Sequence, residues 1–257
     1  MPRLGIISCQ VLENELAHIL DERDDIEKIY LRRSSENRRF GELLLKKDVI
    51  YINDPCHLRI NTSERSVYVD IVPAALHTDL YELEYQCHER VDDVKGYCNL
   101  ILFFFGLCGN ALKTVFARED VNILCIKDEY DGIVDDCIVA TMGRDTYMSS
   151  LQEMNNFFLT NGWIEHWESI IMKLEGPKED GMFKELLRAN DYKKTLFIRQ
   201  KNVDSSTAID GARTISRNLG LGYDSIEGKM DLLERAIDQG ISASGNKKKY
   251  LKRKREP

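Results

Sequence analysis

Three cysteines follow apolar runs of the sequence, each near the point where a strand would end. Cys9 follows LGIIS, Cys108 lies in the turn after LILFFF, and Cys137 comes after VNILCI and a short acidic loop. A cysteine thiolate is a nucleophile and a metal ligand, and zinc binds thiolate sulfur together with imidazole nitrogen. His77, in the segment LHTDL, offers such a nitrogen. The pattern therefore favours a zinc site made by Cys9, Cys108, Cys137 and His77.

Two other interpretations stay open for these cysteines. A thiol often packs in a protein core as a small apolar group, and it can also be reactive without any metal. The sequence contains no CxxC pair, so the zinc hypothesis depends on the three strand ends meeting at one place. It also requires sulfur atoms within about 4 Å of one another, because each would lie about 2.3 Å from a shared zinc ion.

The other cysteines are expected to have structural roles. Cys125 lies within a predicted strand and Cys98 at the start of one, where a thiol normally packs as a small hydrophobic group. Cys87 and His88 are neighbours on a predicted helix, where adjacent side chains point apart by about 100 degrees and rarely share a metal.

Short apolar runs alternate with helical patterns along most of the chain. SVYVDIV (66–72) is a β-branched run typical of a buried strand, whereas VLENELAHIL (11–20) has apolar residues at helical spacing with acids between them. This rhythm predicts an α/β fold, with a mostly parallel sheet flanked by helices in a Rossmann-like three-layer arrangement, as a single domain over residues 1–240. Further strands are predicted at 4–8, 99–105, 121–126, 156–160 and 194–200, and further helices at 76–94, 110–118, 145–154, 162–174, 206–220 and 228–240.

This fold explains how distant cysteines could meet. The loops beyond the carboxyl ends of parallel strands lie together at one edge of the sheet, which is where ligands bind in such folds. Aspartates before a helix are usually N-caps, so Asp136 is expected to cap the helix that begins near Cys137. Trp163 and Trp167 are four residues apart, which favours core packing on one helical face.

Two segments depart from this alternation of predicted strands and helices. Residues 32–66 begin with the polar run RRSSENRR and continue as IYINDPCHLRINTSERS, which predicts a hairpin or a variable insertion. Residues 241–257 end in KKKYLKRKREP and carry a charge of +6, against −13 for the preceding residues. Such a run predicts a disordered basic tail, which either contacts an acidic partner or remains solvated without one.

Composition and missing motifs exclude several classes of protein. The start MPRLGIISC lacks the apolar core of a secretory signal, and the longest apolar run is far shorter than the roughly 20 residues of a membrane-spanning helix. A cytoplasmic location without a membrane span is therefore expected, with the seven cysteines reduced. No serine-histidine triad, P-loop or HExxH motif supports a standard hydrolase or kinase.

Several motifs in order carry a resemblance to a known family. The order of ISC, LH, FGLCGN, DDCI, MGRDTY, FFLTNGW and IEGKMDLLERAI resembles the domain-of-unknown-function family numbered 1638, over most of residues 4–238. The resemblance implies a protein found mainly in methanogenic archaea and anaerobic bacteria, often encoded near corrinoid-dependent methyltransferases, but it implies no established reaction. The family's recurrent polar positions correspond here to Cys9, His77, Cys108, Asn110, Asp136, Cys137, Gly143, Tyr147 and Trp163.

This chain departs from the family pattern in three places. Residues 32–66 form a long insertion, Arg144 replaces a small residue after the MG pair, and the basic tail replaces a closing apolar segment.

The resemblance and the cysteines together suggest a function. Zinc holds a thiol as its thiolate at neutral pH, and the thiolate is the nucleophile that accepts a methyl group. We therefore expect a metal-thiolate protein of corrinoid or one-carbon methyl-transfer metabolism, which binds or transfers a methyl group or assists a methyltransferase. The cofactors expected are zinc and, further, a corrinoid; the partners are a corrinoid protein or a methyltransferase.

The alternative is a small-molecule or cofactor-binding protein without catalysis, whose cysteines are structural. In GLCGN, Gly106 and Gly109 would allow close backbone approach to an anionic ligand, and Asn110 would cap the helix that follows. The resemblance adds Gly143 and Tyr147 to the candidate cofactor-binding residues.

Overall fold

Nine strands in the described part of the chain form two parallel sheets. The computed structural model describes residues 4–59, 65–153, 155–176, 181–201 and 206–245. The larger sheet contains β1 (Leu4–Cys9), β2 (Lys28–Arg32), β3 (Asp48–Ile52), β4 (Ser66–Val72), β5 (Leu100–Phe104) and β6 (Ile123–Cys125). Its strand order is β3-β2-β4-β1-β5-β6, and every pair is parallel.

Eleven helices cover the two sheets in these residues. They are α1 (Glu13–Asp21), α2 (Ser35–Leu43), α3 (Leu80–Val94), α4 (Lys113–Phe116), α5 (Cys137–Met142), α6 (Arg144–Glu153), α7 (Asn161–Glu165), α8 (Trp167–Glu175), α9 (Met182–Ala189), α10 (Ser206–Leu219) and α11 (Asp231–Gly245). Among the helices that flank the larger sheet, α1 packs beside α2 and α11, whereas α3 packs beside α4. The predicted α/β class, with a mostly parallel sheet flanked by helices, is confirmed.

The central strands are buried on both faces. Every residue of β1, β4 and β5 is buried, as expected for parallel strands that carry helices on either side. Both faces of β5 lie in the core, and this explains why its sequence LILFF is continuously apolar. No helix in the described residues is both long and apolar enough to cross a membrane.

The smaller sheet follows the larger one in the chain. Its strands β7 (Asn156–Leu159), β8 (Lys194–Arg199) and β9 (Gly222–Glu227) pair in the order β7-β8-β9. Trp163 and Trp167 lie on two short helices that meet at His166, and both rings pack edge-on against Phe157, with centroids 5.9 and 6.1 Å away. Core packing of the two tryptophans is thus confirmed, although the single predicted helix 162–174 is broken.

Residues 32–66 do not form the hairpin that their sequence suggested. Ser34 caps α2 by accepting a hydrogen bond from the Asn37 backbone N–H at 3.1 Å, and Phe40 anchors the helix in the core. The chain then returns through β3, which pairs parallel to β2 and makes one edge of the larger sheet. Residues 60–64 of this segment lie outside the described residues.

The last helix continues through the glycine that was expected to end it. Helix α11 runs to Gly245, so residues 241–245 are helical rather than the start of a disordered tail. A Cβ atom at Gly240 would lie 3.2 Å from the Leu4 side chain, which shows that the glycine permits close packing of the helix on β1. The strongly basic residues 247–255 lie outside the described residues.

Candidate metal centre

The strand order places a switch point between β1 and β4. The chain leaves β1 toward β2 on one side, and it leaves β4 toward β5 on the other. Right-handed crossovers in opposite directions put the following helices α1 and α3 on opposite faces, which opens a crevice at the carboxyl ends of the two strands. Cys9 is the last residue of β1 and pairs in register with Val72, the last residue of β4.

The four predicted ligand residues meet at this crevice. Cys9 Sγ lies 3.0 Å from Nε2 of His77, which stands in the helical turn Ala74–Thr78 after β4. The Cys137 sulfur, at the start of α5, accepts hydrogen bonds from the thiols of Cys108 and Cys9. All three cysteines are at most 6% exposed, and His77 is half-buried with its ring stacked against Phe105. The contacts therefore run from His77 through Cys9 and Cys137 to Cys108.

Two loops lock together to bring Cys108 and Cys137 into contact. The Leu107 N–H donates to the Val134 carbonyl at 2.9 Å, and the Cys108 N–H donates to the Asp135 carbonyl at 3.0 Å. Asp136 then caps α5 by accepting a hydrogen bond from the Val139 N–H at 2.9 Å, as predicted.

Gly106 makes this close approach of the loops possible. A Cβ atom at Gly106 would lie 2.3 Å from the Asp136 Cα, a clash that only a backbone shift would relieve. We expect Gly106→Ala to lower the free energy of unfolding by about 1–3 kcal/mol or more. Urea unfolding measures this loss. Gly96→Ala is the matched control, since nothing lies within 4 Å of its added Cβ; an equal loss in both variants would contradict the account.

The pKa values of the cluster differ in direction. The thiols of Cys108 and Cys9 donate to the Cys137 sulfur and hold the pKa of Cys137 well below its usual range. Burial, followed by the negative Cys137, raises the pKa of Cys9, whereas Cys137 is the largest cause of the raised pKa of Cys108. Burial lowers the pKa of His77 and favours the neutral imidazole. In the metal-free cluster, deprotonation of Cys137 is thus favoured over deprotonation of Cys9 and Cys108, and the neutral form of His77 is favoured.

These contacts form a line and not a closed shell. In the described part of the chain, the cysteines and His77 do not include three residues whose ligand atoms all lie within 4.8 Å of one another. Zinc ligands lie about 2.0–2.3 Å from the ion. The three sulfurs therefore do not meet the 4 Å requirement of the zinc hypothesis as they stand, and His77 and Cys108, the two ends of the line, would have to move inward for an ion at Cys9 and Cys137 to bind all four residues.

The remaining buried cysteines are not among the four predicted ligand residues, although the charge of Cys87 acts on the Cys108 thiol. Cys87, Cys98 and Cys125 are buried, and burial raises the pKa of each to about 12. This confirms core packing for Cys98 and Cys125. Beside Cys87, the His88 ring points away to hydrogen-bond the Thr114 hydroxyl at 3.1 Å, as expected for helix neighbours.

The GLCGN turn does not have the expected form of an anion site. The helix begins at Lys113 after an N-cap at Leu112, so Asn110 does not cap it, and α4 has only four residues. The close backbone approach at Gly106 is taken by Asp136. Gly109 and Asn110 are exposed and have left-handed backbones, with φ of 64° and 70°.

The other two candidate cofactor residues pack against side chains outside the cysteine cluster. Gly143 ends α5 with a φ of 81°, and a Cβ there would lie 2.3 Å from a carboxylate oxygen of Glu129. The Tyr147 ring packs on Phe158, with centroids 5.3 Å apart. A role in cofactor binding remains a prediction for both residues.

Two buried glutamates, which are not among the residues predicted from the sequence, lie near this cluster. Glu13 and Glu15, in the first turn of α1, are both 0% exposed. Burial raises the pKa of Glu15 to about 8, and the charges of Glu165, Cys137 and Glu13 add to the shift. A signal was present in the sequence, because Glu15 lies four residues from both Val11 and Ile19 and so falls on the apolar face of the helix.

One family matches the chain. Residues 71–237 match the model of a family described as a protein of unknown function, DUF1638. The match contains His77, Cys108 and Cys137, whereas Cys9 lies before it. No curated protein and no solved structure matches the chain.

Proposed function

Because the chain belongs to the DUF1638 family of proteins of unknown function, we propose its function from the residues that meet at the strand ends. The chain binds a metal ion, with zinc as the preferred ion, through Cys9, Cys108, Cys137 and His77. It acts in one-carbon metabolism, where it binds or transfers a methyl group or assists a corrinoid-dependent methyltransferase.

The support is the convergence of four soft donor groups from four separate strand ends. Cys9 ends β1, and His77, Cys108 and Cys137 follow β4, β5 and β6. Their side chains make a line of contacts from His77 through Cys9 and Cys137 to Cys108. Three buried sulfurs cannot all be negative without a cation, because burying unpaired charge is costly. Thiolate and neutral imidazole are the ligands that zinc prefers.

Methyl transfer is the chemistry that such a site serves best. A coordinated thiol loses its proton outright, and the thiolate attacks carbon readily. A methylcorrinoid would supply the methyl group, and a thiolate held beside Cys9, Cys108 and Cys137 would be the nucleophile that accepts it. A substrate thiol enters in place of half-buried His77, which leaves three protein ligands and one open position, as in catalytic zinc sites.

Metal content of the full chain, purified without oxygen, tests the proposed site. We expect about one zinc ion per chain in the wild type and a clear loss in Cys108→Ser, because the variant lacks one sulfur ligand. Replacement of zinc by Co²⁺ should give a sulfur-to-cobalt charge-transfer band that Cys108→Ser lacks. A metal-free wild type that retains a tightly bound small molecule would support the binding protein with structural cysteines instead.

The same preparations test the methyl-transfer step. Given methylcobalamin and a small thiol, the zinc-loaded wild type should form Co(I) and the methylated thiol in equal amounts, and Cys108→Ser should form neither. Zinc binding without this turnover would leave the accessory role, which a pull-down with a purified corrinoid protein then examines.

A further inference from the structure

Two cavities adjoin at the carboxyl end of β2. The first has a volume of about 490 Å³ and is lined by Arg33, Ser34, Ser35, Arg38 and Tyr51. The second has a volume of about 410 Å³ and shares Arg33 and Ser34 with the first. Both volumes lie in the range of small-molecule sites, and the loops beyond the carboxyl ends of parallel strands are where ligands bind in such folds.

The first cavity carries positive charge that the protein does not balance. Among the described residues, its lining has two guanidinium groups and no carboxylate. The side chains of Arg33 and Arg38 make no hydrogen bond or ion pair within this part of the chain. The neighbouring Arg32, by contrast, is paired with Asp93 at 2.7 Å. Two arginines without partners in one cavity are suited to an anionic ligand.

The second cavity contains a buried donor without an acceptor. Arg90 is held by Gln86, whose side-chain oxygen accepts from Arg90 Nη1 at 2.6 Å. In the described part of the chain, Arg90 Nε is buried and has no hydrogen-bond partner, and the Asp70 Oδ2 atom lies 3.6 Å away. Asp70 is 2% exposed; its Oδ1 accepts from the Asn37 amide at 2.8 Å, whereas Oδ2 accepts only a long hydrogen bond from Tyr68 at 3.4 Å. A buried donor without an acceptor is costly, so this gap is suited to a group that the chain does not supply.

A hydroxyl group fits the gap between Arg90 and Asp70. A hydroxyl both accepts and donates, so one such group can accept from Arg90 Nε and donate to Asp70 Oδ2. An oxygen about 2.8 Å from each atom, a normal hydrogen-bond distance, is compatible with their separation of 3.6 Å. The carboxylates of Glu89 and Asp93 also line this cavity. They accept hydrogen bonds from hydroxyl groups and repel an anion, so an anionic group is favoured in the first cavity and hydroxyl groups in the second.

We propose that the two cavities form one binding site for a sugar phosphate, either free or as part of a nucleotide. The phosphate lies between Arg33 and Arg38, because planar guanidinium groups match phosphate oxygens and two arginines balance a phosphate dianion. The sugar hydroxyls lie in the second cavity against Asp70 and Arg90. Arg33 lines both cavities, at the place where the phosphate joins the sugar.

This site is distinct from the cysteine cluster. None of Cys9, His77, Cys108 and Cys137 lines either cavity. The inference therefore does not require the proposed zinc function, and either can fail while the other holds.

Isothermal titration calorimetry on the full chain, with ribose 5-phosphate, AMP and unphosphorylated adenosine, tests the proposal. We expect the two phosphorylated probes to bind at least about tenfold tighter than adenosine, because only they carry the phosphate. Arg33→Gln and Arg38→Gln should each weaken binding of both phosphorylated probes by about 10- to 100-fold. Arg188→Gln is the matched control, since it removes the charge of an exposed arginine on α9 and should bind both probes as the wild type does.

Arg90→Lys tests the sugar half of the site. Lysine keeps the positive charge but lacks the Nε donor, so the variant should bind ribose 5-phosphate about tenfold more weakly and inorganic phosphate as the wild type does. Tighter binding of AMP than of ribose 5-phosphate would support the proposal with a nucleotide as the ligand, and equal binding would support it with a sugar phosphate.

The proposal is overturned if neither phosphorylated probe binds, or if Arg33→Gln and Arg38→Gln bind both as tightly as Arg188→Gln does. Inorganic phosphate that binds as tightly as ribose 5-phosphate would also overturn it, because the second cavity would then contribute nothing. Melting temperatures without ligand show that a loss of binding is not a loss of fold. Arg33 and Arg38 are exposed, so both glutamine variants should melt as the wild type does.

Discussion

Zinc should raise the melting temperature of the full chain by about 10 °C, and Cys137→Ser should abolish most of that rise. A ligand at about 1,000 times its dissociation constant stabilises the native state by about 4 kcal/mol, and about 1 kcal/mol shifts the midpoint of a chain of this size by roughly 2–4 °C. Cys137 carries the largest effect because the thiols of both Cys9 and Cys108 interact with it and hold its pKa well below the usual range.

Cys87→Ala is the matched control for the zinc experiment. Cys87 is equally buried but lies on the inner face of α3 and is not one of the four predicted ligand residues, so its removal should lower the midpoint and leave the zinc-dependent rise intact. Calorimetry with and without zinc, under reducing conditions, measures both quantities. If Cys137→Ser retained the wild-type rise, zinc would be bound elsewhere and the proposed centre would be wrong.

Glu15→Gln should stabilise the metal-free protein increasingly as the pH rises from 5 to 8. Burial raises the pKa of Glu15 from its usual 4.5 to about 8. Within this window the folded state binds one more proton than the unfolded state, so the wild type loses about 1.4 kcal/mol of stability per pH unit. Glutamine cannot ionise, so the variant lacks this loss and the difference between the two proteins reaches several kcal/mol near pH 8.

Urea unfolding at pH 5, 6.5 and 8, in the presence of a chelator, measures this effect. The sign follows from the raised pKa: stability from this group is fully present below pH 4.5 and is gone above the folded-state pKa of about 8. Glu119→Gln, an exposed substitution, should follow the wild type at every pH. Parallel curves for the wild type and Glu15→Gln would show that the Glu15 carboxyl is not desolvated.

Much of the sheet could be predicted because its central strands are apolar on both faces. SVYVDIV matches β4 residue for residue, and the run around LILFF differs from β5 by one residue at each end. Weaker sequence patterns did not predict strand β9 or the end of the last helix correctly. Strand β9, GYDSIE, was missed because it is half-exposed and polar, and Gly240 resembled a helix stop because its packing partner Leu4 is distant in sequence.

The cysteine cluster could be predicted for a similar reason. The rule that parallel strands present their carboxyl ends at one edge brings Cys9, Cys108 and Cys137 together without any knowledge of contacts. The proximity of Glu13 to Glu165 and His166 could not be predicted from this rule. Glu165 and His166 reach Glu13 through the packing of α7 on the first turn of α1, and no sequence pattern links segments so far apart.

The four predicted ligand residues, Cys9, His77, Cys108 and Cys137, leave the ribosome at different times during synthesis. Positions 9, 77, 108 and 137 are spread over more than half of the chain, and each enters the site only after its own strand has joined the sheet. A nascent chain on the ribosome cannot complete the donor set until residue 137 has emerged and β5 and β6 have paired. If the chain binds zinc as proposed, the ion can enter the complete site only after the six-stranded sheet has formed, and it then links the ends of strands that are far apart in sequence.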